Sequence, residues 1–343
     1  MIQCFKKKLS NGIWIICLTS QKFQNIACGF FVRSGILCYP ELARLRFRGS
    51  HRLGGCTYGL QVGLDHHYCY ALGGPEDLFT LIDVILENYI EPLEGPEVEL
   101  DSLYIRLVRH LSYGKCSGPS KHPARTLFMV VGNLAHQIVQ KMLEDILSRI
   151  EPIVGSSVPN IPKSLLEIPR FSILEDPERE TVSFMLGFPV MNINPWKIIS
   201  LNILENFWID NLGENVQATV GLERIGQNAL EILRIECPRE GMMNVLENIF
   251  GTINLLKERE VHPEVFRKCL ERAQRSPEDE LSWMIYLGSH MVFDPYFRLY
   301  THLYWKPDRR ELLKMAREVY DFTRLHLYIH GPRIRWPVVP AQS

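Results

Sequence analysis

The sequence predicts an α+β protein built as two related halves, each a mixed, mostly antiparallel sheet with helices packed on one face. Three observations carry this. Residues 76–86 (EDLFTLIDVIL) and 240–250 (EGMMNVLENIF) echo each other: Leu78, Leu81, Ile82 and Ile85 coincide with Met242, Val245, Leu246 and Ile249. Their spacing of three and four is helical. Pro96-Glu97-Val98 and Pro263-Glu264-Val265 each open a further helix-like stretch, since proline at a helix start gives up an N–H that has no intrahelical partner. Finally, Leu127–Gly132 and Leu325–Gly331 both read as an apolar strand ended by glycine.

The elements follow in the same order in each half. In the first half, residues 1–151, strands are expected at about 3–9, 12–18, 26–34 and 58–72, and helices near 75–91, 97–112 and 134–150. Asn11-Gly12 between the first two strands is a hairpin-turn signature, because both central residues of that turn need positive φ. Residues 152–165, rich in Pro, Gly and Ser, read as a linker. In the second half, residues 166–335, strands are expected at about 169–176, 180–188, 215–223 and 229–237, and helices near 194–212, 240–258, 263–275, 279–305 and 308–321. Strands first and helices after them favour a largely antiparallel sheet over a wound parallel one. The first half is the shorter, with 35–49 too brief for a full helix.

Composition excludes several function classes. The 343 residues are 46% hydrophobic and 22% charged, ordinary for a globular protein. Lys+Arg of 38 against Asp+Glu of 39 gives a net charge of −1, without the basic surplus that phosphate binding requires, so no nucleic-acid partner is expected. No apolar run reaches the ~18 residues of a membrane helix, so no membrane insertion is expected. Lys6-Lys7-Lys8 precedes Ile13–Leu18, but Ser10-Asn11-Gly12 interrupts what would be the apolar region of a signal peptide. The expected location is cytoplasmic. The 9 cysteines are odd in number and lack C-x-x-C pairs, which fits reduced, buried thiols rather than disulfides or a zinc knuckle.

A family resemblance emerges from five motifs in order. Leu9-Ser10-Asn11-Gly12-Ile13 resembles the L-x-N-G opening of pitrilysin/insulinase-type metallopeptidases, the inverzincins. Gly29–Gly35 resembles their next strand, and Phe47-Arg48-Gly49-Ser50 the F-K/R-G-S/T that closes the catalytic helix. Leu53-Gly54-Gly55 with Tyr68-Cys69-Tyr70 resembles the glycine pair and aromatic strand, and Val131-Gly132-Asn133 the strand end V-V-G-N. The likeness runs over about residues 6–332.

The motif that makes such a protein an enzyme is missing. Inverzincins need H-x-x-E-H on a helix, two imidazoles for zinc and a glutamate as general base. No H-x-x-E-H occurs here, and the corresponding positions fall on Pro40, Ala43 and Arg44. Proline and alanine carry no ligand atom, and arginine is a permanent cation. Glu97 and Glu99 lie near the place of the family's third ligand, but a carboxylate without the histidines makes no zinc site. No catalytic residue, metal ligand or cofactor is carried across. The resemblance implies a non-catalytic subunit that forms a heterodimer with an active zinc-peptidase subunit and helps enclose a peptide substrate. Relatives of this kind include inactive subunits in the maturation of ribosomal peptides, the subtilosin-type bacteriocins, where leader peptides are processed. The alternatives are a stand-alone peptide-binding or scaffolding protein with the same fold, and an active zinc peptidase whose catalytic helix is absent from this sequence.

By the same resemblance, Gly54, Gly55, Thr57 and Tyr58 match the sheet-edge strand on which active relatives add a peptide as an extra strand, a binding mode that uses main-chain hydrogen bonds. Arg44, Arg46 and Arg48, with Arg52, form a basic cluster where the catalytic helix would stand and are candidates for lining a chamber. Glu223, Arg224 and Gly226 occupy a turn where relatives present arginine and tyrosine to substrate; the tyrosine has no match. Elsewhere, His66 and His67 as strand neighbours point to opposite faces. His326 and His330 lie in a strand-like context. Cys38 with His51, and the Gly114-Lys115 dipeptide, fall short of a nucleophile pair and a P-loop. His290, His302 and the aromatics around Trp283–Trp305 are core or partner-interface candidates.

Overall fold

The computed structural model describes residues 2–33, 51–53, 55–90, 102–111, 125–150, 166–212, 216–275, 277–294, 296–297 and 306–333. The first sheet contains β1 (Gln3–Lys8), β2 (Trp14–Thr19), β3 (Ile26–Val32), β4 (His51–Leu53), β5 (Cys56–Val62), β6 (His67–Gly73) and β7 (Thr126–Gly132). Their spatial order is β1-β2-β7-β3-β6-β5-β4. All pairs are antiparallel except β2 with β7. The expected single strand over 58–72 is two strands. At Gly63–His66 the chain turns, with Gly63 N–H donating to the His66 carbonyl at 2.7 Å, so β5 and β6 form a hairpin and His66 sits in its turn rather than in a strand.

The second sheet contains β8 (Arg170–Glu175), β9 (Thr181–Val190), β10 (Gln217–Ile225), β11 (Asn228–Pro238) and β12 (His326–Gly331), in the order β10-β11-β9-β12-β8. Here β8 runs parallel to β12 and the other pairs are antiparallel. The halves correspond: in each, an early strand, β2 or β8, runs parallel to the closing strand.

The first half supplies helices α1 (Leu78–Ile90), α2 (Ser102–Leu111) and α3 (His136–Leu147). The second supplies α4 (Pro195–Asn211), α5 (Met242–Glu258), α6 (Pro263–Ala273), α7 (Glu280–Met291) and α8 (Arg309–Val319). The repeat read from the sequence is structural. A short 3₁₀ turn, Pro75–Asp77 or Arg239–Gly241, leads directly into α1 or α5. Side-chain caps start three helices: Asn194 accepts from Lys197 N–H, Asp279 from Ser282 N–H, and Asp308 from Glu311 N–H, each satisfying an otherwise orphaned donor. The helix expected over 279–305 ends at Met291.

Each sheet carries its own half's helices on one face. Ile15, Cys17, Cys28, Phe30, Phe128 and Val130 pack under Leu81, Ile85, Val139 and Leu143. Phe184, Leu186, Phe188, Leu233 and Ile235 pack under Leu204, Trp208, Ile249 and Leu312. The opposite faces are covered by exchange. Helix α7, from the second half, lies on the first sheet, its Trp283, Met284, Leu287 and Met291 against Ile16, Leu18, Phe31, Leu127 and Met129. Helix α2, from the first half, lies on the second sheet, its Leu103, Leu107, Val108 and Leu111 against Met185, Leu230, Ile232 and Tyr328. The α7 seam is tight. A Cβ on Gly29 would stand 2.6 Å from Met284 Sδ, and one on Gly288 2.1 Å from Phe31 Cζ. At its start, buried Glu280 accepts the N–H groups of Gln24 (2.6 Å) and Asn25 (3.1 Å), tying α7 to the β2–β3 turn.

Candidate functional site

The two hairpins that correspond between the halves meet tip to tip. The β5–β6 turn brings Asp65 and the β10–β11 turn brings Gly226, at φ +62°, a conformation that glycine adopts without the penalty a Cβ incurs. Gly226 N–H donates to Asp65 Oδ2, and Leu64 N–H donates to Glu223 Oε2 at 3.3 Å. Asp65 is fully buried. Arg33, at the end of β3, stands 3.9 Å from it. The Arg224 guanidinium lies 4.2 Å over the Phe293 ring, with Arg33 5.5 Å from the same ring. His66 meets Phe293 edge-on at 5.4 Å. Arg125 donates to the Phe293 carbonyl and its own carbonyl accepts from Arg33 N–H at 2.8 Å.

Burial dominates the electrostatics of this junction. It pushes the Asp65 carboxyl up to about 7 in spite of Arg33, the Gly226 N–H and Arg224, which pull it down. Burial also lowers Arg224 to about 10, against the attraction of Asp65. The result is a knot in which Arg33 and Arg224 act on buried Asp65 and Arg125 and Arg224 on exposed Asp294, while Glu223 holds the Leu64 N–H. It can fix one half against the other and can present guanidinium groups; it offers no activated nucleophile.

The positions expected from the sequence divide as follows. Arg44, Arg46, Arg48 and Gly54 lie outside the described residues, as do Pro40, Ala43, the linker 152–165, Cys38 and His302. Gly55 forms the β4–β5 turn at φ +92°. Thr57 and Tyr58 lie on β5, but not at its open edge: β4 pairs with them on that side, Arg52 with Thr57 and His51 with Tyr58. Among the described residues, no strand lies beyond β5 from Gly59 onward. Tyr58 packs into the helix-covered core. Glu223, Arg224 and Gly226, singled out together in the sequence, all reach the junction. Sequence reasoning does not place Asp65, Arg33, Arg125 or Phe293 there; Gly63 is the one signal, a turn residue inside what reads as one strand.

A second buried polar group lies in the core of the second half. Trp208 Nε1–H donates to Tyr320 Oη at 2.8 Å, and Tyr320 Oη–H donates to Glu231 Oε1 at 3.0 Å. Glu231 Oε2 makes no hydrogen bond. Burial, reinforced by Glu205, raises Glu231 to about 8; burial raises Glu205 to about 7.

His326 Nε2–H donates to the Leu166 carbonyl at 2.9 Å, and His110 Nδ1 meets Tyr328 Oη at 2.8 Å; burial lowers both histidines. Among the described residues no three His, Cys, Asp or Glu are grouped to hold a metal. Cys17, Cys28, Cys56, Cys69, Cys237 and Cys269 are buried free thiols and Cys4 an exposed one. No described helix is long and apolar enough to cross a membrane. The residues at the expected zinc-ligand positions, Pro40, Ala43 and Arg44, do not fit the family's metal.

Residues 121–273 match the family model described as the peptidase M16 inactive domain. No curated protein matches the chain. Solved structures are similar over nearly the whole length. A protease from Helicobacter pylori superposes with a TM-score of 0.68 at 12% identity, covering 97% of this chain and 100% of that one. An M16-like peptidase from Alicyclobacillus acidocaldarius gives 0.66 at 12% identity, covering 97% and 99%. A peptidase M16 inactive domain from Pseudomonas fluorescens gives 0.63 at 9% identity, covering 97% and 99%. At these identities the likeness is one of fold.

Proposed function

From a chain with the fold of M16-like peptidases, the M16 inactive domain over residues 121–273 and no H-x-x-E-H, a non-catalytic peptidase-fold protein, we propose a subunit that pairs with an active zinc peptidase and helps enclose its peptide. The carrying observation is that the sequence lacks the zinc motif while the two-half fold is kept. Loss of the histidines removes water activation, whereas binding of an extended peptide by main-chain groups needs no metal. The outer edge of β5 from Gly59 onward is the surface offered to the peptide, and the arginines of the Arg44–Arg48 stretch supply positive charge for it in the sequence. The substrate class is a peptide whose leader is removed, as in bacteriocin maturation.

Co-expression with a chain that retains H-x-x-E-H tests this. The expected result is a stable heterodimer that cleaves peptide faster than the partner alone, with zinc bound by the partner. Tightly held zinc on this chain purified alone, or peptide cleavage by it alone, would overturn the reading. A chain that binds peptide but ignores every motif-bearing partner would instead establish a stand-alone scaffold.

A further inference from the structure

Helix α2 meets the second sheet through more than apolar side chains. Arg106 and His110 stand about one turn apart on α2 and so share a face. The Arg106 guanidinium donates to Ser172 Oγ on β8, and His110 Nδ1 meets Tyr328 Oη on β12 at 2.8 Å. In the parallel β12–β8 ladder Tyr328 pairs with Ser172, and His326 with Arg170. Side chains two residues apart along a strand lie on the same face of the sheet. Arg170 and His326 therefore lie on the α2 side, next to Ser172 and Tyr328. The ladder and the helix together gather Arg106, His110, Arg170 and His326.

Charge in this cluster is one-sided. Burial, then the charges of Arg170 and Arg106, lowers His110. Burial lowers His326 against the pull of the Leu166 carbonyl, and Arg170 and His110 add to the fall. Both imidazoles are thus neutral near pH 7, and the two guanidinium groups carry the charge. Among the described residues no carboxylate forms an ion pair with Arg106 or Arg170. Partly buried cations without a counter-charge are costly to hold. His326 Nδ1 is a further unsatisfied group, buried and without a hydrogen bond.

The cluster is also reachable. Arg106, His110, Arg170 and Ser172 are half-buried, while Tyr328 and His326 are buried beneath them. A guanidinium is a planar fork that grips the oxygens of an oxyanion in pairs. Two such forks, both permanently charged, are balanced by an anion of charge two.

We propose that Arg106 and Arg170, with His110 beside them, bind a doubly charged oxyanion of the phosphate class between α2 and β8. The net charge of −1 does not oppose this, because screening leaves the nearest groups to set the field at a site. The assignment goes beyond the proposed function, since enclosing a peptide through main-chain bonds needs no such anion.

Isothermal titration calorimetry of the purified full chain tests it at constant ionic strength, with inorganic phosphate, sulfate, acetate and phosphoserine as probes. The expected result is one saturable site for phosphate and for sulfate, with acetate, a monoanion, weaker by about tenfold or more. Arg170→Gln and Arg106→Gln should each weaken phosphate by about tenfold or more, the scale of one charge-assisted hydrogen bond. Arg267→Gln, on exposed α6 outside the cluster, should leave it unchanged. Arg170→Gln breaks no ion pair and should melt like wild type, so it decides the matter even where Arg106→Gln fails to fold. Phosphoserine tighter than inorganic phosphate would support the site and make a phosphorylated side chain its source; the reverse order would support it with a free anion. No saturable binding of either dianion, equal binding of acetate, or equal losses in Arg170→Gln and Arg267→Gln would overturn the proposal.

Discussion

Glu231, Glu205 and Asp65 have a common property: burial holds each carboxyl well above its ordinary range, to about 8, about 7 and about 7. The folded protein therefore binds protons that the unfolded chain would release. Stability from these groups is fully present below about pH 4 and is lost as pH rises through 7 to 8, because the unfolded state binds fewer protons there. Urea melts between pH 5 and 9 should show stability falling and then levelling off. The fall is on the order of 1.4 kcal/mol for each group per pH unit separating its ordinary titration point from its buried one. Glu231→Gln keeps an acceptor for Tyr320 and cannot ionise, so it should flatten that decline and leave the variant more stable than wild type near pH 9. A decline equal in both proteins would contradict the assignment to Glu231. None of this is legible in the sequence. Glu231 stands in the run Ala229-Leu230-Glu231-Ile232-Leu233, where alternation gives no hint that both faces are covered. Asp65, in Leu64-Asp65-His66, falls inside what reads as one strand over 58–72, so neither the turn nor its burial shows. Resemblance alone points to Arg224, and the structure adds the partners that hold it.

Among the elements, α7 and α5 make an instructive pair. Both carry an interior glycine, Gly288 and Gly251, and helix propensity alone favours alanine at each by about 0.5–1 kcal/mol. Gly251 has nothing within 4 Å of an added Cβ, whereas Gly288 would place it 2.1 Å from the buried Phe31 ring. Gly251→Ala should raise the melting temperature and Gly288→Ala should lower it, by about 1–3 kcal/mol of overpacking net of propensity. Equal shifts of one sign would show that α7 does not seat on β3 as described. Sequence reading locates these helices well because their apolar positions recur every three or four residues, and the 76–86 and 240–250 echo marks the duplication. It misses the β5–β6 turn, since Tyr68-Cys69-Tyr70 continues the alternation of Tyr58–Val62 and the turn has only Gly63 to announce it. It overruns α7, where Val292-Phe293-Asp294 leaves the helix. It cannot tell which sheet α2 or α7 will cover, because periodicity reports that a face is apolar and says nothing about what it meets.

At the scale of the molecule, the exchange of α2 and α7 means that neither half owns a complete core. Residues 1–151 made alone would leave Ile16, Leu18, Phe31, Leu127, Met129 and Val131 uncovered, all of them buried in the whole chain. Each such side chain forfeits about 1.5–3 kcal/mol when left in water. That fragment should bind ANS and lack a cooperative melt; co-expression with residues 152–343 should restore a cooperative transition, and a fragment that melts sharply alone would refute mutual dependence. The exchange also sets a timetable for synthesis. Domains usually fold one after another as the chain leaves the ribosome, the N-terminal one first. Here the first sheet is fully made once Gly132 has emerged, yet the helix that seals it starts at Glu280. At about 5–20 residues per second, a sheet with one wet apolar face must wait roughly 7–30 seconds for its cover. Chaperone demand, sensitivity to truncation and the order in which the halves mature all follow from where in the gene that one helix is encoded.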